Sequence, residues 1–253
     1  MKLLEGRVAL VVGAGRGLGR GIAEAFIDAG ATVVAIARTP AQLATLSGPQ
    51  GHVNVIAADA TDPVVAGNVL AQWRPQILAL VAGATPLLRP VHLHTWETFS
   101  TNWQTDVRMT FHWMREALLL PLSEGSRVIV MSSGAAVMGS PLSGGYAGSK
   151  ATQRFLADYA AQESQRLKLG IGISAVLPKL TPLTDLGRPA VSAYAARLGI
   201  AEDEYRRRMG NPVTPAIAGA AFVQLATSPE GEAGAYMLTG EGLQPIASRE
   251  AVA

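Results

Sequence analysis

Short apolar runs alternate with amphipathic segments along most of this chain, and no other feature of the sequence limits its fold as much. Nearly all-apolar runs of this kind are typical of strands buried on both faces of a parallel sheet. Since crossovers between parallel strands are right-handed, the alternation predicts an α/β fold with one doubly wound parallel sheet and helices on both faces. The predicted strands cover residues 7–12, 31–37, 53–57, 76–82, 127–132, 171–177 and 235–238.

No composition break, internal repeat or polar linker divides the chain, so we expect residues 1–253 to form a single domain. Charged residues make up only 16% of it, against about 25% in typical domains. That deficit indicates large buried surfaces, either in a core or between subunits. Between about residues 181 and 211 the alternation lapses into short helical pieces, at 191–198 and 202–209. Such an insertion suits a substrate lid, although an inert connection is the alternative.

Composition and charge argue against several classes of function. A net charge of +2 is too small to favour nucleic acid, and without cysteine there is no disulfide or thiolate chemistry. His92 and His94 could carry a metal on a strand, but their context favours a loop and we expect no metal. Glu5 and Arg7 interrupt any apolar signal core, and no apolar run approaches the roughly 20 residues that span a bilayer. We expect a soluble, cytoplasmic protein with no membrane partner.

The first predicted strand leads into a glycine-rich turn and then a helix. A turn of this kind presents free backbone N–H groups to a phosphate. Its spacing fits Gly-x-x-x-Gly-x-Gly rather than Gly-x-Gly-x-x-Gly. No Lys-Ser or Lys-Thr follows, which disfavours a nucleoside-triphosphate loop. We predict that the turn binds a dinucleotide through Gly13, Gly15, Arg16, Gly17, Leu18 and Gly19.

The second predicted strand ends in an arginine, Arg38, where folds that prefer NAD carry a carboxylate. A carboxylate there would repel a ribose 2′-phosphate, whereas a guanidinium can bind it in bidentate fashion. Arg16, inside the glycine turn, could approach the same phosphate from the other side. Two surface arginines are the alternative. We predict NADP(H) as the preferred cofactor over NAD(H).

A serine, a tyrosine and a lysine carry the predicted chemistry. Tyr146 and Lys150 are four residues apart, so a helix places them on one face. A nearby cation favours the phenolate and makes the phenol a stronger acid, able to exchange a proton with an alcohol or carbonyl oxygen. Ser133, just after the fifth apolar run, would be a second hydroxyl at that oxygen. Taken alone, the pair also fits an ordinary helix with a lysine lying along its surface.

With these motifs together, the sequence resembles the short-chain dehydrogenase/reductase family over residues 7 to about 242. Arg16 and Arg38 resemble the arrangement in its NADP-preferring carbonyl reductases. The resemblance implies the sheet order 3-2-1-4-5-6-7. It also implies a homodimer or homotetramer that pairs through the helices beginning near residues 95 and 146.

The resemblance further implies roles for single residues. Tyr146 would be the general acid/base, Lys150 would strengthen it as an acid and hold the nicotinamide ribose hydroxyls, and Ser133 would orient the substrate carbonyl. Asp59 would lie by the adenine, although a polar residue near a helix start is its alternative reading. The other cofactor contacts that the family pattern implies are Ala60, Ala82, Gly83, Pro178 and Thr181.

The chain departs from the family pattern at four places. Val12 replaces a threonine before the glycine turn, Leu80-Val81 replaces two asparagines, and Lys179 replaces a glycine. Asp106 replaces the helix asparagine of a proton relay to the lysine, and we include it among the catalytic residues. A carboxylate there would stabilise the ammonium and partly cancel its effect on Tyr146. The backbone carbonyl of Asp106 would remain available to a relay water.

The sequence therefore predicts an NADP(H)-dependent oxidoreductase that transfers hydride between nicotinamide and the carbonyl or alcohol of a small substrate. The alternatives are a dinucleotide-binding sensor or scaffold that has lost catalysis, and an enzyme of the same fold that dehydrates or epimerises. Apolar residues expected around the cleft suggest an apolar substrate; they are Thr85, Pro86, Leu87, Leu88, Val137, Met138, Leu183 and Leu186.

Overall fold

A computed structural model describes residues 2–46, 48–49, 51–228 and 234–246. Its strands are β1 (Val8–Val12), β2 (Thr32–Ala37), β3 (Val53–Ala57), β4 (Ile77–Leu80), β5 (Arg127–Met131), β6 (Gly172–Pro178), β7 (Gly234–Thr239) and β8 (Gly242–Ile246). Its helices are α1 (Gly17–Asp28), α2 (Pro40–Leu43), α3 (Pro63–Trp73), α4 (Trp96–Asn102), α5 (Arg108–Leu119), α6 (Ala135–Met138), α7 (Gly144–Arg166), α8 (Gly187–Leu198), α9 (Glu202–Met209) and α10 (Pro215–Thr227).

The eight strands form one sheet in the order β3-β2-β1-β4-β5-β6-β7-β8. The first seven strands are parallel, in the predicted order, and helices cover both faces, so the predicted fold class is confirmed. Each face has its own apolar core, one around Phe26 and Phe222 and the other around Trp113. Because β1, β4, β5 and β6 run parallel, their carboxyl ends meet at one edge of the sheet, where ligands of doubly wound folds bind.

The sequence analysis missed β8, which pairs antiparallel with β7 at the sheet edge. It contains Pro245, which lies opposite Tyr236 in the register. Proline cannot donate to a strand ladder and is confined to edge strands or strand starts, so it weakens the strand pattern of this segment. The predicted order of the first seven strands is therefore correct, and the sheet has an eighth strand at its edge.

The long amphipathic segment between residues 95 and 119 does not form one continuous helix. A π-helical turn over Trp103–Val107 separates α4 from α5. A π-helical turn inserts extra backbone into a helix, and such turns are frequent at functional sites. Here the turn carries the buried side chain of Asp106.

Other predicted helix ends also differ. The helix that the sequence analysis expected to begin near residue 146 is α7, which begins at Gly144 and ends at Arg166. Lys168 then adopts a positive φ of 55°, which ends the helical backbone. The pieces expected between residues 181 and 211 are α8 and α9, and α8 begins before the predicted residue 191. In the part of the chain described by the structure, no helix has the length and apolar character needed to cross a bilayer.

Candidate active site

A cleft of about 730 Å³ lies at the carboxyl edge of the sheet. The turns after β1, β4, β5 and β6 all contribute to its wall, as does the start of α8. Every residue that the sequence analysis assigned to a site lines this one cleft. They are Gly13, Gly15, Arg16, Gly17, Leu18, Gly19, Arg38, Asp59, Ala60, Ala82, Gly83, Asp106, Ser133, Tyr146, Lys150, Pro178 and Thr181.

The glycine turn forms the floor at one end of the cleft. Helix α1 begins at Gly17, and no side chain caps its N-terminus, so the first N–H groups remain available to an anion. A Cβ on Gly13 would lie 2.5 Å from the backbone nitrogen of Ala82, and one on Gly19 would lie 2.1 Å from the Gly13 carbonyl oxygen. Only glycine lets these segments approach so closely, and this cradle fits the pyrophosphate of a dinucleotide.

Arg38 and Asp59 lie together at the far end of this part of the cleft. The carboxylate of Asp59 accepts hydrogen bonds from the Thr61 backbone N–H and hydroxyl, each 2.9 Å long. These two bonds lower the pKa of Asp59 below its ordinary value; burial opposes them, and Arg38 and Arg108 contribute smaller effects that lower it. Arg16 pairs instead with Asp185, just before α8, at 3.4 Å.

Tyr146, Lys150 and Ser133 come together as predicted. Tyr146 and Lys150 share one face of α7, and the Lys150 Nζ lies 5.4 Å from the centroid of the Tyr146 ring. Ser133 follows β5, and its hydroxyl oxygen accepts from the Ala135 N–H at 3.2 Å. The Ser132 hydroxyl donates to the Lys150 carbonyl at 2.7 Å and so joins the end of β5 to α7. The two hydroxyls, Ser133 and Tyr146, therefore face the same cleft from two anchored elements.

The Lys150 ammonium forms a buried ion pair with Asp106. Nζ lies 3.1 Å from Oδ2, and the two side chains are 5% and 0% exposed. Burial lowers the pKa of Lys150, but Asp106 and then Tyr146 more than offset that effect, so the pKa is raised above its ordinary value. The lysine therefore keeps its charge in the dry interior, as the sequence analysis expected of a carboxylate at this position.

Several groups hold the Asp106 carboxylate in place. Its Oδ1 accepts from the Ala84 N–H at 2.8 Å and from the Thr105 hydroxyl at 3.0 Å. Asn102 donates to the Ala84 carbonyl at 2.7 Å and lies 3.4 Å from Oδ1. A Cβ on Gly83 would lie 2.8 Å from Oδ2, so glycine there leaves room for the carboxylate. The π-helical turn and the segment after β4 thus fix the carboxylate from two sides.

Sequence reasoning missed Gln153, a fully buried residue of α7. Its Oε1 accepts from Lys150 Nζ at 2.8 Å, and its Nε2 donates to the Asp106 carbonyl at 3.1 Å and to the Thr110 hydroxyl at 2.6 Å. The Gln153 amide therefore takes one of the two acceptor positions of the Asp106 carbonyl, the group that the sequence analysis expected to be available to a relay water. The position of Gln153 three residues after Lys150 and seven after Tyr146 places it on the same face of α7, and this spacing is the signal that could have found it.

Sequence reasoning also missed a hydroxyl cluster at the substrate end of the cleft. Ser140 lies within hydrogen-bonding distance of the Tyr194 hydroxyl and 2.6 Å from the Ser143 hydroxyl. Tyr194 stacks on Tyr205 with ring centroids 6.3 Å apart. Burial, and then proximity to Tyr194, raise the pKa of Tyr205 above its ordinary value. Helices α8 and α9 therefore contribute polar groups here as well as apolar ones.

The apolar residues expected around the cleft are only partly there. Pro86, Leu88, Met138 and Leu186 line it. The other four, Thr85, Leu87, Val137 and Leu183, are not among its lining residues. Among the described residues no cluster of three or more histidine, aspartate or glutamate side chains could hold a metal ion.

Comparison with known proteins identifies the family. A model of the short chain dehydrogenase family matches residues 7–195 of the chain. The match spans well over half of the sequence and contains the glycine turn, Ser133, Tyr146 and Lys150. The chain belongs to the short-chain dehydrogenases.

Individual members resemble this short-chain dehydrogenase to different degrees. L-xylulose reductase of Mesocricetus auratus is 30% identical over 73% of this chain and 75% of its own. The structure of 3-ketoacyl-(acyl-carrier-protein) reductase from Brucella melitensis with NADH has a TM-score of 0.74 at 23% identity, covering 93% of this chain and 98% of that one. A structure assigned as an NAD(P)-dependent gluconate 5-dehydrogenase from Beutenbergia cavernae, with NADP, has a TM-score of 0.75 at 24% identity, covering 89% and 91%.

Membership of the family, with its reductase-named relatives, indicates an oxidoreductase that uses a nicotinamide dinucleotide and acts between alcohol and carbonyl groups. The chain contains the tyrosine, lysine and serine to which the sequence analysis assigns that chemistry. The structural relatives are below 25% identity, so they support the fold.

Proposed function

We propose that this short-chain dehydrogenase is an NADP(H)-dependent enzyme that interconverts a carbonyl and an alcohol on a small substrate with an apolar part. The observation that carries the proposal is that Ser133, Tyr146 and Lys150 line the same cleft as the glycine turn and Arg38. Cofactor and substrate can therefore lie side by side there. Bound NADPH supplies the hydride.

The protein residues supply hydrogen bonds and a proton. The Ser133 and Tyr146 hydroxyls hold the carbonyl oxygen, and Tyr146 donates its proton to that oxygen as negative charge develops. The Lys150 ammonium stabilises the phenolate that remains. In the opposite direction the phenolate accepts the proton of the alcohol. The apolar wall at Pro86, Leu88, Met138 and Leu186 excludes water from the substrate.

The NADP preference rests on Arg38 and Arg16. Arg38 lies at the cleft wall with no carboxylate at the end of β2 to repel a 2′-phosphate, and Arg16 projects from the glycine turn. Asp59, nearby, is held by Thr61 and would lie beside the adenine ring. Gly13, Gly17 and Gly19 would hold the pyrophosphate, and Pro178 and Thr181 would contact the nicotinamide.

Cofactor preference can be measured directly. We predict that NADPH binds at least about tenfold more tightly than NADH, since a charge-assisted bidentate pair is at stake. Arg38→Asp should reverse the preference. Arg207→Asp is the matched control, because Arg207 is exposed on α9, does not line the cleft and produces the same change in net charge. Tighter NADH binding by the unmodified protein would contradict the arginine argument.

Two further features belong to the same proposal. Residues 181–211, with α8 and α9, would form a substrate lid over the cleft, since Leu186, Tyr194 and Tyr205 line it. The protein would form a homodimer or homotetramer through the helices that begin near residues 95 and 146, which are α4 with α5, and α7. Phe111 on α5 is 48% exposed, and Phe155 and Tyr159 on α7 are 60% and 55% exposed and stack on each other.

A catalytically inactive sensor is the second candidate, and the buried ion pair is the observation that favours it. Asp106 neutralises the cation on which the acidity of Tyr146 depends. The two candidates are separated by NADPH consumption against a panel of ketones and aldehydes, followed by absorbance. Consumption with at least one carbonyl supports the enzyme, whereas tight NADPH binding without consumption across the panel supports the sensor. Substrate conversion without consumption would instead indicate dehydration or epimerisation.

A further inference from the structure

Both the oxygen and the nitrogen of the buried Gln153 amide have hydrogen-bond partners. Its Oε1 accepts from the Lys150 ammonium, while its Nε2 donates to the Asp106 carbonyl and to the Thr110 hydroxyl. An amide has one acceptor oxygen and two N–H donors, so this arrangement satisfies all of them. Turning the amide over would point N–H groups at an ammonium and an oxygen at a carbonyl oxygen. The orientation is therefore fixed by its partners.

The Lys150 ammonium is held from three directions. Its acceptors are Asp106 Oδ2 at 3.1 Å, Gln153 Oε1 at 2.8 Å and the Met131 carbonyl at 3.4 Å. An ammonium has three N–H donors. Without Gln153 only the carboxylate and a long carbonyl contact would remain, and the ammonium would move toward the carboxylate. Its position relative to the Tyr146 ring thus depends on the glutamine.

We propose that Gln153 is a positioning residue of the active site, which holds the Lys150 ammonium beside Tyr146 and keeps water off the Asp106 carbonyl. The proposal rests on the proposed function, because it concerns how Tyr146 acts as acid and base. It follows that proton exchange at Tyr146 takes place on the cleft side. The interior side is closed by side chains that are fully buried, Asp106, Thr110 and Gln153.

The charged and titratable groups near Tyr146 also affect the pH profile of the enzyme. Besides Tyr146, the charged and titratable residues that line the cleft, among the described residues, are Arg16, Arg38, Asp59, Asp106, Lys150, Lys179, Asp185, Tyr194 and Tyr205. Gln153 is uncharged and reaches Tyr146 only through Lys150. Its replacement therefore changes the placement of one cation without adding or removing a charge.

Gln153→Met tests the proposal, because methionine is similar in size and makes none of the three hydrogen bonds. We expect kcat to fall about tenfold, with the Km for substrate and the affinity for NADPH within about twofold of the unmodified enzyme. In the direction of alcohol oxidation, the rising part of the pH profile should move to higher pH, because the displaced cation assists the phenolate less.

Thr110→Val is the matched control. Its side chain has the same shape, is equally buried and belongs to the same network, but it does not contact Lys150. We expect a lower melting temperature with an unchanged pH profile. Gln153→Met with the profile of the unmodified enzyme, or a shift of equal size in Thr110→Val, would overturn the positioning role.

A crystal structure of Gln153→Ala provides a readout that needs no turnover. We expect a water molecule between the Lys150 ammonium and the Asp106 carbonyl, at the place that the amide leaves. An ordered ammonium in its original position with no such water would overturn the proposal. Absence of turnover by the unmodified protein would instead count against the proposed function, and the crystallographic result would still stand.

Discussion

At the scale of single residues, the chemistry of the site depends on how much of the Lys150 charge the buried Asp106 carboxylate offsets. Asp106→Asn removes the counter-charge of Lys150 while keeping the shape of the side chain. We expect the native state to lose about 3–5 kcal/mol, the typical cost of leaving a buried charge unpaired. The uncompensated cation should also move the rising part of the oxidation pH profile to lower pH. Thermal unfolding and the pH profile of kcat measure the two effects.

The raised pKa of Lys150 makes a separate prediction about stability. Since folding raises this pKa, the ion pair stabilises the native state fully below the ordinary value of 10.5, and the stabilisation is lost as the pH rises through the pKa of the folded protein. Melting temperatures measured between neutral and strongly alkaline pH should therefore fall steeply at the alkaline end. The double variant Asp106→Asn/Lys150→Met should show a shallower fall. Equal slopes in the two proteins would argue against the ion pair.

Side chains at motif positions were the ones whose shared cleft could be anticipated from the sequence, and their catalytic roles stay predictions. Tyr146, Lys150 and Ser133 follow a spacing that helix geometry and strand ends convert directly into proximity. Gln153 also has a helical spacing, three residues after Lys150, but its bonds to Asp106 and Thr110 depend on how those segments pack against α7. A buried polar network of this kind is set by packing between distant segments, and the sequence alone does not show it.

At the scale of elements, the glycine turn is a feature that a single added methyl group would disrupt. Gly19→Ala places a Cβ 2.1 Å from the Gly13 carbonyl oxygen, so the turn must shift. We expect a loss of about 1–3 kcal/mol of stability and a fall of at least about tenfold in NADPH affinity, because the phosphate cradle is displaced.

Gly67→Ala provides the control for that substitution. Gly67 lies inside α3, where an added Cβ would find its nearest atom 3.7 Å away. The same change should therefore stabilise the helix by about 0.5–1 kcal/mol and leave NADPH affinity unchanged. If Gly19→Ala bound NADPH as tightly as Gly67→Ala, the turn would not be the phosphate site.

The helices and strands differ from the predicted ones where the local sequence pattern did not distinguish between two structures. An uninterrupted amphipathic pattern over residues 95–119 predicts one helix, and the extra backbone of the π-helical turn leaves little trace in such a pattern. Pro245 weakens the strand pattern of β8, so the sequence did not indicate that strand. In both places a contact with a distant or neighbouring segment determines the local structure. Asp106 of the π-helical turn pairs with Lys150, and β8 pairs with β7.

At the scale of the whole molecule, the sheet order could be predicted because strand–helix alternation leaves few right-handed arrangements. The assembly is a matter for experiment. We predict a homodimer or homotetramer by light scattering coupled to size exclusion. Phe155→Glu together with Tyr159→Glu should dissociate it, because these exposed rings on α7 would lie in the interface. A monomeric unmodified protein would contradict this proposal and leave the active-site account intact.

The account as a whole depends on Tyr146 as the proton donor, and Tyr146→Phe tests that most directly. Once a carbonyl substrate has been identified, single-turnover oxidation of NADPH should fall by at least about a thousandfold in this variant. NADPH affinity should remain within about threefold, because the ring stays and only the hydroxyl is lost. Turnover at the rate of the unmodified enzyme would contradict the account.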